Sequence, residues 1–295
     1  MKSIAITAPT GMLGSMLYNE FRKNFSLVLV LQDEKQLAVL EQAYGGTKEH
    51  KVVYFDFPKL LQDYTQGFPE ANLGPEATAL FNAVGEVDVI INCSSVTKAK
   101  GILDPLLAFQ INSALPHILG RHYREKLIHI STDCVFSGLD GKPYTEDMQP
   151  NPTDIYGFTR SLGEPKDTSL VIRASTVGPE IADFELLVEW VKKQSGKTIS
   201  GYTRHLWNGL TTKQFAKVLH EIILHRQEYP QNGILHIYSN DQTKFDLLTA
   251  IAKHYLVNPK IIPNEIPMLD RRLSSMYELC AKIKIPTFDQ MLTDL

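Results

Sequence analysis

An apolar run followed by a glycine turn stands near the start of the chain, in Ser3-Ile4-Ala5-Ile6-Thr7-Ala8-Pro9-Thr10-Gly11-Met12-Leu13-Gly14. The first five residues are typical of a short buried strand, and the apolar spacing from Met12 onward is typical of an amphipathic helix. Glycines at such a junction let the main chain approach a phosphate, while the helix N-terminus offers free N–H groups. The stretch therefore predicts a strand, a dinucleotide-binding turn and a helix, with a plain tight turn as the alternative.

The same alternation of strand and helix continues along the first half of the chain. Further strand-like runs are Leu27–Leu31, Lys51–Phe55, Val87–Ile91, Leu127–Ser131 and Leu170–Arg173. Helical spacing recurs between them, as in Pro105–Tyr123, where Asp104 and Pro105 are typical of a helix start. Nearly continuous apolar strands separated by helices favour a parallel sheet covered on both faces. We predict a doubly wound α/β domain over residues 1–174.

The pattern changes after residue 174. Helical segments at Thr211–His225 and Lys244–Tyr255 enclose one strand-like run, Ile234–Ile237, before a proline-punctuated end. We predict a smaller α/β substrate-binding lobe over residues 175–295, with the chain free to cross back between the lobes. Residues 64–78 are polar, contain Gly and Pro without periodicity, and predict an exposed loop.

Composition narrows the class of protein. The chain has 295 residues, 30 basic and 33 acidic side chains and a net charge of -3, so the basic excess of a nucleic-acid-binding protein is missing. Three widely spaced cysteines give neither a disulfide framework nor a zinc pattern, and we expect no metal. We see neither a signal peptide nor a membrane span. We expect a cytoplasmic protein with no nucleic-acid or membrane partner.

A second motif lies where the fifth strand-like run ends. It reads Ile130-Ser131-Thr132-Asp133-Cys134-Val135-Phe136, and it is followed by Tyr156-Gly157-Phe158-Thr159-Arg160-Ser161-Leu162-Gly163-Glu164. Tyr156 and Arg160 are one helical turn apart and share a face. A fixed cation favours the phenolate, so we expect Arg160 to lower the pKa of Tyr156 toward neutrality. Thr132 and Tyr156 can then converge on one substrate carbonyl.

With these motifs the chain resembles the extended short-chain dehydrogenase/reductases, most closely the dTDP-4-dehydrorhamnose reductase type. The similarity also covers Asp56-Phe57, Asn92 to Thr97, Asn112, Arg173 and Gly209 to Thr212. It implies a Rossmann fold, NAD or NADP as cofactor and a nucleotide-sugar substrate, and it allows a homodimer. It also implies that Thr132 hydrogen-bonds the carbonyl, that Tyr156 protonates it, and that Arg160 takes the family's lysine position.

The motifs and the resemblance together give two sets of binding residues. The cofactor set is Thr10, Gly11, Met12, Leu13, Gly14, Asp33, Asp56, Phe57, Cys93, Ser94, Ser95, Asn112 and Arg160. The substrate set is Thr97, Asp133, Cys134, Arg173, Ser175, Thr176, Arg204, Trp207 and Arg271.

Several of these residues have a second interpretation. Asp33 can bind a cofactor ribose or can simply cap a helix. Arg204 and Trp207 can contact substrate or pack the lobe, and Arg271 can reach the pocket or form a solvated charge pair with Arg272. Related dehydratases carry a glutamate at position 134, so Cys134 disfavours that reaction and is a buried thiol rather than a nucleophile.

The predicted activity is NAD(P)H-dependent reduction of a 4-keto nucleotide-deoxysugar in a pathway to a surface polysaccharide. An epimerase would use the same cofactor without net consumption. A different class is a non-catalytic NAD(P)-binding regulatory subunit, such as that of methionine adenosyltransferase. Ala8 in place of the first glycine and Arg160 in place of lysine motivate that alternative, since arginine keeps the charge but is longer, planar and unable to deprotonate.

Overall fold

The computed structural model describes residues 1–60 and 74–295. Its strands are β1 (Ser3–Thr7), β2 (Ser26–Leu31), β3 (Lys51–Tyr54), β4 (Val89–Asn92), β5 (Leu127–Ser131), β6 (Leu170–Arg173), β7 (Thr176–Val177), β8 (Thr198–Tyr202), β9 (His205–Trp207), β10 (Leu210–Thr211), β11 (Gly233–His236), β12 (Gln242–Thr243), β13 (Lys260–Asn264) and β14 (Leu269–Asp270). Its α-helices are α1 (Met12–Phe21), α2 (Glu34–Tyr44), α3 (Pro75–Val84), α4 (Lys98–Leu103), α5 (Pro105–Ala108), α6 (Leu115–Tyr123), α7 (Ile155–Leu162), α8 (Leu187–Lys192), α9 (Thr212–Leu224), α10 (Lys244–His254), α11 (Leu279–Ile283) and α12 (Phe288–Met291).

Seven parallel strands form the central sheet, in the order β3-β2-β1-β4-β5-β6-β11. The predicted doubly wound α/β fold is confirmed. The strand order reverses between β1 and β4, and ligands of such sheets bind beyond the carboxyl ends of the strands at this reversal. The residues after β1, β4 and β5 therefore meet at one edge of the sheet.

The core lies on both faces of this sheet. Successive residues of β1 point to opposite faces, so Ile4 and Ile6 join one apolar cluster and Ala5 joins the other. Helices α1 and α9 pack together on the first face, and α3 and α6 supply buried side chains to the second. This burial on both sides explains the nearly unbroken apolar strands in the sequence.

The helix predicted over Pro105–Tyr123 is a helical run with a change of winding in its middle. Asp104 accepts a hydrogen bond from the Leu107 N–H and begins α5, as expected. Residues 109–114 wind as a π-helix before α6. Pro116 has no N–H for the Asn112 carbonyl, and a Cβ atom on Gly163 would lie 1.8 Å from that oxygen. Gly163, at the end of α7, can therefore pack directly on the π-helical turn.

Residues beyond 174 build small sheets and also return to the central one. β7 pairs with β10, β8 pairs with β13, and β12-β9-β14 form a three-stranded sheet. β11 joins the central sheet beside β6, and the chain thus crosses back after residue 174. The predicted boundary between residues 174 and 175 marks a change in the sequence pattern. The central sheet itself contains strands from both sides of this boundary.

The prediction of a loop over residues 64–78 is wrong for its last residues, which are helical. Residues 61–73 lie outside the described residues, but Pro75 already begins α3, with proline at a first-turn position where its missing N–H costs nothing. No helix among residues 1–60 and 74–295 has both the length and the apolar character needed to span a bilayer.

Candidate active site at the carboxyl ends of the strands

The turn between β1 and α1 is tightly wound. The Gly11 N–H donates to the Ala8 carbonyl at 3.1 Å. Ala8 has φ 48°, in the left-handed region that costs a residue with a Cβ atom about 1–2 kcal/mol and glycine almost nothing. The turn thus keeps the conformation of a first glycine although the residue is alanine, and Ala8 is strained there.

Gly14 is the residue of this turn that tolerates no side chain. A Cβ atom at Gly14 would lie 2.2 Å from the Ala8 oxygen and 3.0 Å from the Pro9 Cα. A Cβ atom at Gly11 would lie 3.5 Å from the same oxygen, an ordinary contact. Gly11 is exposed, with φ -67°, and caps α1 without a side chain. The two glycines therefore have different roles, one in packing and one at the open end of the helix.

Gly14→Ala is expected to lower the free energy of unfolding by about 1–3 kcal/mol, since the new methyl collides with main-chain atoms. It should also weaken nicotinamide-nucleotide binding. Gly11→Ala is the matched control: its stability should stay near wild type, and only its nucleotide affinity should fall, because its methyl projects from the exposed turn. Urea unfolding and nucleotide titration separate the two effects. Equal stability of the two variants would contradict this assignment.

The chain after β4 is fixed by hydrogen bonds to Thr7 at the end of β1. Thr7 Oγ1 donates to Asn92 Oδ1 at 2.7 Å and accepts from the Ser94 hydroxyl at 2.9 Å and from the Cys93 N–H at 3.1 Å. Burial raises the pKa of the Cys93 thiol to about 12, so it stays protonated. Ser95, the next residue, is exposed. The predicted Cys93-Ser94-Ser95 segment thus runs along the edge beside the glycine turn.

The predicted adenine-side residues lie at the ends of neighbouring strands. Asp33 follows β2 and its Oδ1 accepts a hydrogen bond from the Gln36 N–H at 2.9 Å, so it caps α2. Asp33 thus has the helix-cap role, and its predicted contact with a cofactor ribose stays a prediction. Asp56 and Phe57 follow β3, and both are half-buried. These residues occupy the same sheet edge as the glycine turn.

Helix α7 is held against the end of β5. The Asp154 carboxylate accepts from the Gly157 N–H at 2.9 Å and pairs with Lys98 at 2.9 Å. A Cβ atom at Gly157 would lie 2.1 Å from the Cys134 oxygen. Glycine thus lets α7 pack directly on the 3₁₀ turn of residues 133–135, which brings Tyr156 beside that turn.

Thr132 begins this 3₁₀ turn. Its hydroxyl donates to Asp133 Oδ1 at 3.0 Å and accepts from the Cys134 N–H at 3.2 Å. Thr132 and Asp133 are buried, and Cys134 is half-buried. Burial and the Asp133 carboxylate raise the pKa of the Cys134 thiol to about 12, which supports a protonated thiol rather than a nucleophile.

The pKa of Tyr156 does not follow the expectation from sequence. Burial raises it above the ordinary value of a phenol and outweighs Arg160 and the Ser95 hydroxyl, which lower it. The expectation of a pKa near neutrality is wrong for this structure, because the cost of burying the phenolate was not visible in the spacing of the motif. Tyr156 therefore keeps its proton at neutral pH.

Arg160 lies beneath the edge of the sheet. It is 3% exposed, and its guanidinium donates to the carbonyls of Ile130 and, at 3.4 Å, Ser94. Its Nε is buried and has no hydrogen-bond partner among the described residues. The guanidinium thus links the main chain at the ends of β4 and β5, and its charge lies close enough to lower the pKa of Tyr156.

Arg271 joins this site from the second lobe, whereas two of its neighbours were not predicted. Arg271 Nη1 donates to Cys134 Sγ at 3.2 Å. Lys244 interacts electrostatically with Asp133 and Cys134, and His205 interacts with Lys244 and Arg271. No motif marks Lys244, and His205 stands out in the sequence only as a neighbour of Arg204 and Trp207. The pairing of β9 with β12 and β14 brings His205, Lys244 and Arg271 together.

Three predicted binding residues have structural roles instead. Arg173 is 1% exposed and pairs with the buried Glu164 at 2.6 Å. Asn112 is fully buried, with its amide bonded to the main chain of Val96 and to the Thr159 hydroxyl. Trp207 is 6% exposed and packs edge-on against Phe288. The resemblance implied Asn112 and Arg173, and lobe packing was the alternative for Trp207; in this structure all three side chains are buried among protein groups.

The remaining predicted residues lie around the edge with less definite roles. Thr97, Ser175 and Thr176 are half-buried, and Arg204 is exposed. Thr97 precedes α4, and Ser175 precedes β7. Among the described residues, no cluster of three His, Cys, Asp or Glu side chains could hold a metal ion.

Comparison with known proteins gives the family. A family model described as RmlD substrate binding domain matches residues 1–270. The dTDP-4-dehydrorhamnose reductase of Streptomyces griseus is 32% identical over 112 residues, covering 34% of this chain and 37% of that protein. Methionine adenosyltransferase 2 subunit beta of Xenopus tropicalis is 25% identical over 269 residues, covering 84% of this chain and 70% of that protein.

A solved structure supports the same fold. That of dTDP-4-dehydrorhamnose reductase from Bacillus anthracis in complex with NADP has a TM-score of 0.69 at 18% identity, covering 99% of this chain and 97% of that chain. The match to the first curated reductases spans only about a third of their length. The resemblance found in the motifs is confirmed by the family model, which covers most of the chain. The chain belongs to the family of the RmlD substrate binding domain.

Proposed function

We propose that this protein reduces the 4-keto group of a nucleotide-linked deoxysugar with NADH or NADPH. The observation that most supports this is the environment of Tyr156, a half-buried residue whose phenol has Arg160, Ser95 and Asp133 as electrostatic neighbours, beside the end of β5. Such a phenol can donate a proton to a developing alkoxide. Family membership and the reductase names of several relatives support the same class of reaction.

The residues present fit a nicotinamide dinucleotide. Because Gly14 has no side chain, α1 packs directly against the turn. The open N-terminus of α1 then faces the edge of the sheet where parallel sheets bind phosphates. Gly11, Met12 and Leu13 would hold the pyrophosphate with main-chain N–H groups, and Asp56 and Phe57 would line the adenine. When bound, the nicotinamide supplies a hydride to the carbonyl carbon.

The protein's own groups would act on the carbonyl oxygen. Tyr156 would donate its proton to that oxygen, and the Thr132 hydroxyl would hydrogen-bond it. In this structure the Thr132 hydroxyl donates to Asp133 Oδ1 at 3.0 Å, so its proton would turn from that carboxylate to the carbonyl oxygen when the substrate binds. Arg160 would favour the phenolate that remains after proton transfer, because its charge lowers the pKa of Tyr156.

The second half of the chain would select the sugar. Arg271 supports this role through its contact with Cys134, and Thr97, Ser175 and Thr176 would complete the pocket. We also propose the cytosol as its location and a pathway to a surface polysaccharide as its role, with a homodimer as the assembly that the family resemblance allows. We also keep residues 1–174 as the cofactor-binding part and 175–295 as the substrate-binding part.

Oxidation of NADH and NADPH with a panel of dTDP- and UDP-linked 4-keto-deoxysugars tests the proposal. We expect stoichiometric loss of absorbance at the nicotinamide band with at least one sugar. Interconversion of sugars without net cofactor loss would identify an epimerase instead. A protein that turns over none of the panel would contradict the reductase proposal.

A non-catalytic nucleotide-binding subunit is the second candidate. It is favoured by the engagement of the Arg160 guanidinium with two main-chain carbonyls and by the long match to methionine adenosyltransferase 2 subunit beta of Xenopus tropicalis. Saturable NAD(P) binding without turnover of any sugar would support this candidate over the reductase.

Arg160→Met is expected to lower kcat at least about 10-fold and to shift the alkaline limb of the pH profile to higher pH. The sign follows from charge: Arg160 lowers the pKa of Tyr156, so its removal raises that pKa, and the protonated acid persists to higher pH. Arg160→Lys keeps the cation and should retain the wild-type limb. If the alkaline limb of the pH profile of Arg160→Met were unshifted, Arg160 would not act on the Tyr156 phenol.

A further inference from the structure

Three basic side chains of the second lobe come together around one strand residue. Leu206 of β9 pairs with Thr243 of β12 on one side and with Asp270 of β14 on the other. His205, Lys244 and Arg271 are the sequence neighbours of these three paired residues. We call these three residues the basic cluster.

The basic cluster faces the 3₁₀ turn of the first lobe. Arg271 Nη1 donates to Cys134 Sγ at 3.2 Å, and Arg271 packs over Gly138, where a Cβ atom would lie 2.9 Å from Arg271 Cγ. Asp133 and Cys134 are the anionic and thiol groups that interact electrostatically with Lys244. The cluster therefore lies across from the turn that carries Thr132.

Two nitrogen atoms of the basic cluster lack hydrogen-bond partners among the described residues. Lys244 Nζ has no hydrogen-bond or ion-pair partner among residues 1–60 and 74–295, and Arg271 Nε is buried with none in the same part of the chain. Arg272, the next residue, pairs instead with both Asp270 and Asp241. The carboxylates of this segment are therefore used by Arg272, and Arg271 is left for another anion.

Lys244 also occupies an unfavourable position. It is half-buried and is the first residue of α10, where the helix dipole disfavours a cation. Burial lowers its pKa, which Asp133 only partly offsets. His205 is neutral at pH 7, since burial and its two cationic neighbours lower its pKa to about 4. Lys244 and Arg271 thus face the Asp133 carboxylate, and Asp154, which also interacts electrostatically with Arg271, is already paired with Lys98 at 2.9 Å. The three cations therefore outnumber the two carboxylates.

We propose that Lys244 and Arg271 bind an anionic oxygen group of the sugar nucleotide, either its diphosphate or a carboxylate on the sugar, and thereby fix the sugar over Thr132 and Tyr156. This proposal rests on the proposed function, because it assigns the substrate's charged group to the same cleft. Lys244 is its chain-specific part, since no motif of the sequence marks it. An arriving anion would supply the partner that Lys244 and the Arg271 Nε lack.

Binding measurements on the full chain with NADP⁺ present test the proposal. The probes are dTDP, UDP-glucose and UDP-glucuronate, titrated calorimetrically into wild type, Lys244→Met, Lys244→Arg and Lys253→Met. Lys253 is exposed on the same helix and is the matched control. We expect Lys244→Met to weaken at least one probe about 10-fold or more, and Lys244→Arg and Lys253→Met to stay within about threefold of wild type.

The probes distinguish the source of the anion. A loss shared by dTDP and both UDP-sugars identifies the diphosphate, whereas a loss confined to UDP-glucuronate identifies a sugar carboxylate. Lys244→Met affinities within about twofold of wild type for every probe, or no saturable binding of any probe to wild type, would overturn the proposal. Probe binding that depends on Lys244 without any turnover would leave this site standing and reject the reductase alone.

Discussion

Tyr156→Phe is expected to lower kcat by about 10²- to 10⁴-fold, the usual contribution of a positioned general acid. The phenylalanine keeps the ring in its half-buried position and removes only the hydroxyl donor. Nicotinamide-nucleotide affinity should therefore stay near wild type, because the phenyl ring still fills the same space beside α7. Steady-state kinetics on the best substrate of the panel, together with nucleotide titration, measure both quantities.

Tyr277→Phe is the matched control for this change, since Tyr277 is 47% exposed and lies far along the chain from the 3₁₀ turn. It should leave kcat unchanged. A Tyr156→Phe enzyme that keeps more than about a tenth of the wild-type kcat would show that another group protonates the product oxygen.

Glu164→Ala is expected to lower the free energy of unfolding by about 3–5 kcal/mol, because it leaves the charge of Arg173 buried without a partner. The Glu164 carboxylate accepts from Arg173 Nε at 2.9 Å and from Arg173 Nη2 at 2.6 Å, and also from the Ser131 hydroxyl at 2.6 Å. The side chains of the pair are 1% and 5% exposed. Chemical denaturation measures the loss directly.

Two further variants make this stability prediction specific. Glu86→Ala breaks the exposed pair with Lys126 and should cost about 0–1 kcal/mol. The double variant Glu164→Leu with Arg173→Met removes both buried charges, and it should recover much of the loss caused by Glu164→Ala. If Glu164→Ala were no more harmful than Glu86→Ala, the buried pair would not be a support of the sheet edge.

The central sheet could be predicted from the sequence because its inner strands β1, β4, β5 and β6 are buried on both faces, and the edge strand β3 keeps an apolar run. Runs such as Lys51–Phe55 and Val87–Ile91 fall within two residues of β3 and β4. The winding inside the Pro105–Tyr123 helix could not be predicted, since the π-helical segment depends on Gly163 packing against the Asn112 carbonyl. That contact joins residues far apart in the chain.

The candidate site was predictable only in part, for a similar reason. Motif spacing brings Thr132, Tyr156 and Arg160 to one edge of the sheet, but it carries no information on burial. The resemblance therefore placed Arg173 among the substrate-binding residues, although it pairs with the buried Glu164. Lys244 was missed because only the pairing of β12 with β9 brings it to the cleft. The pKa of Tyr156 likewise depends on burial as well as on charge.

Hydride transfer itself is the most direct test of the central claim. Wild-type protein is incubated with nicotinamide cofactor deuterated on the transferable C4 position and with the panel of 4-keto nucleotide sugars, and the products are analysed by mass spectrometry. We predict a product carrying one deuterium on the former carbonyl carbon, formed together with oxidised cofactor. Recovery of every sugar without deuterium, with the cofactor still reduced, would contradict the proposal that this edge of the sheet is a reductase site.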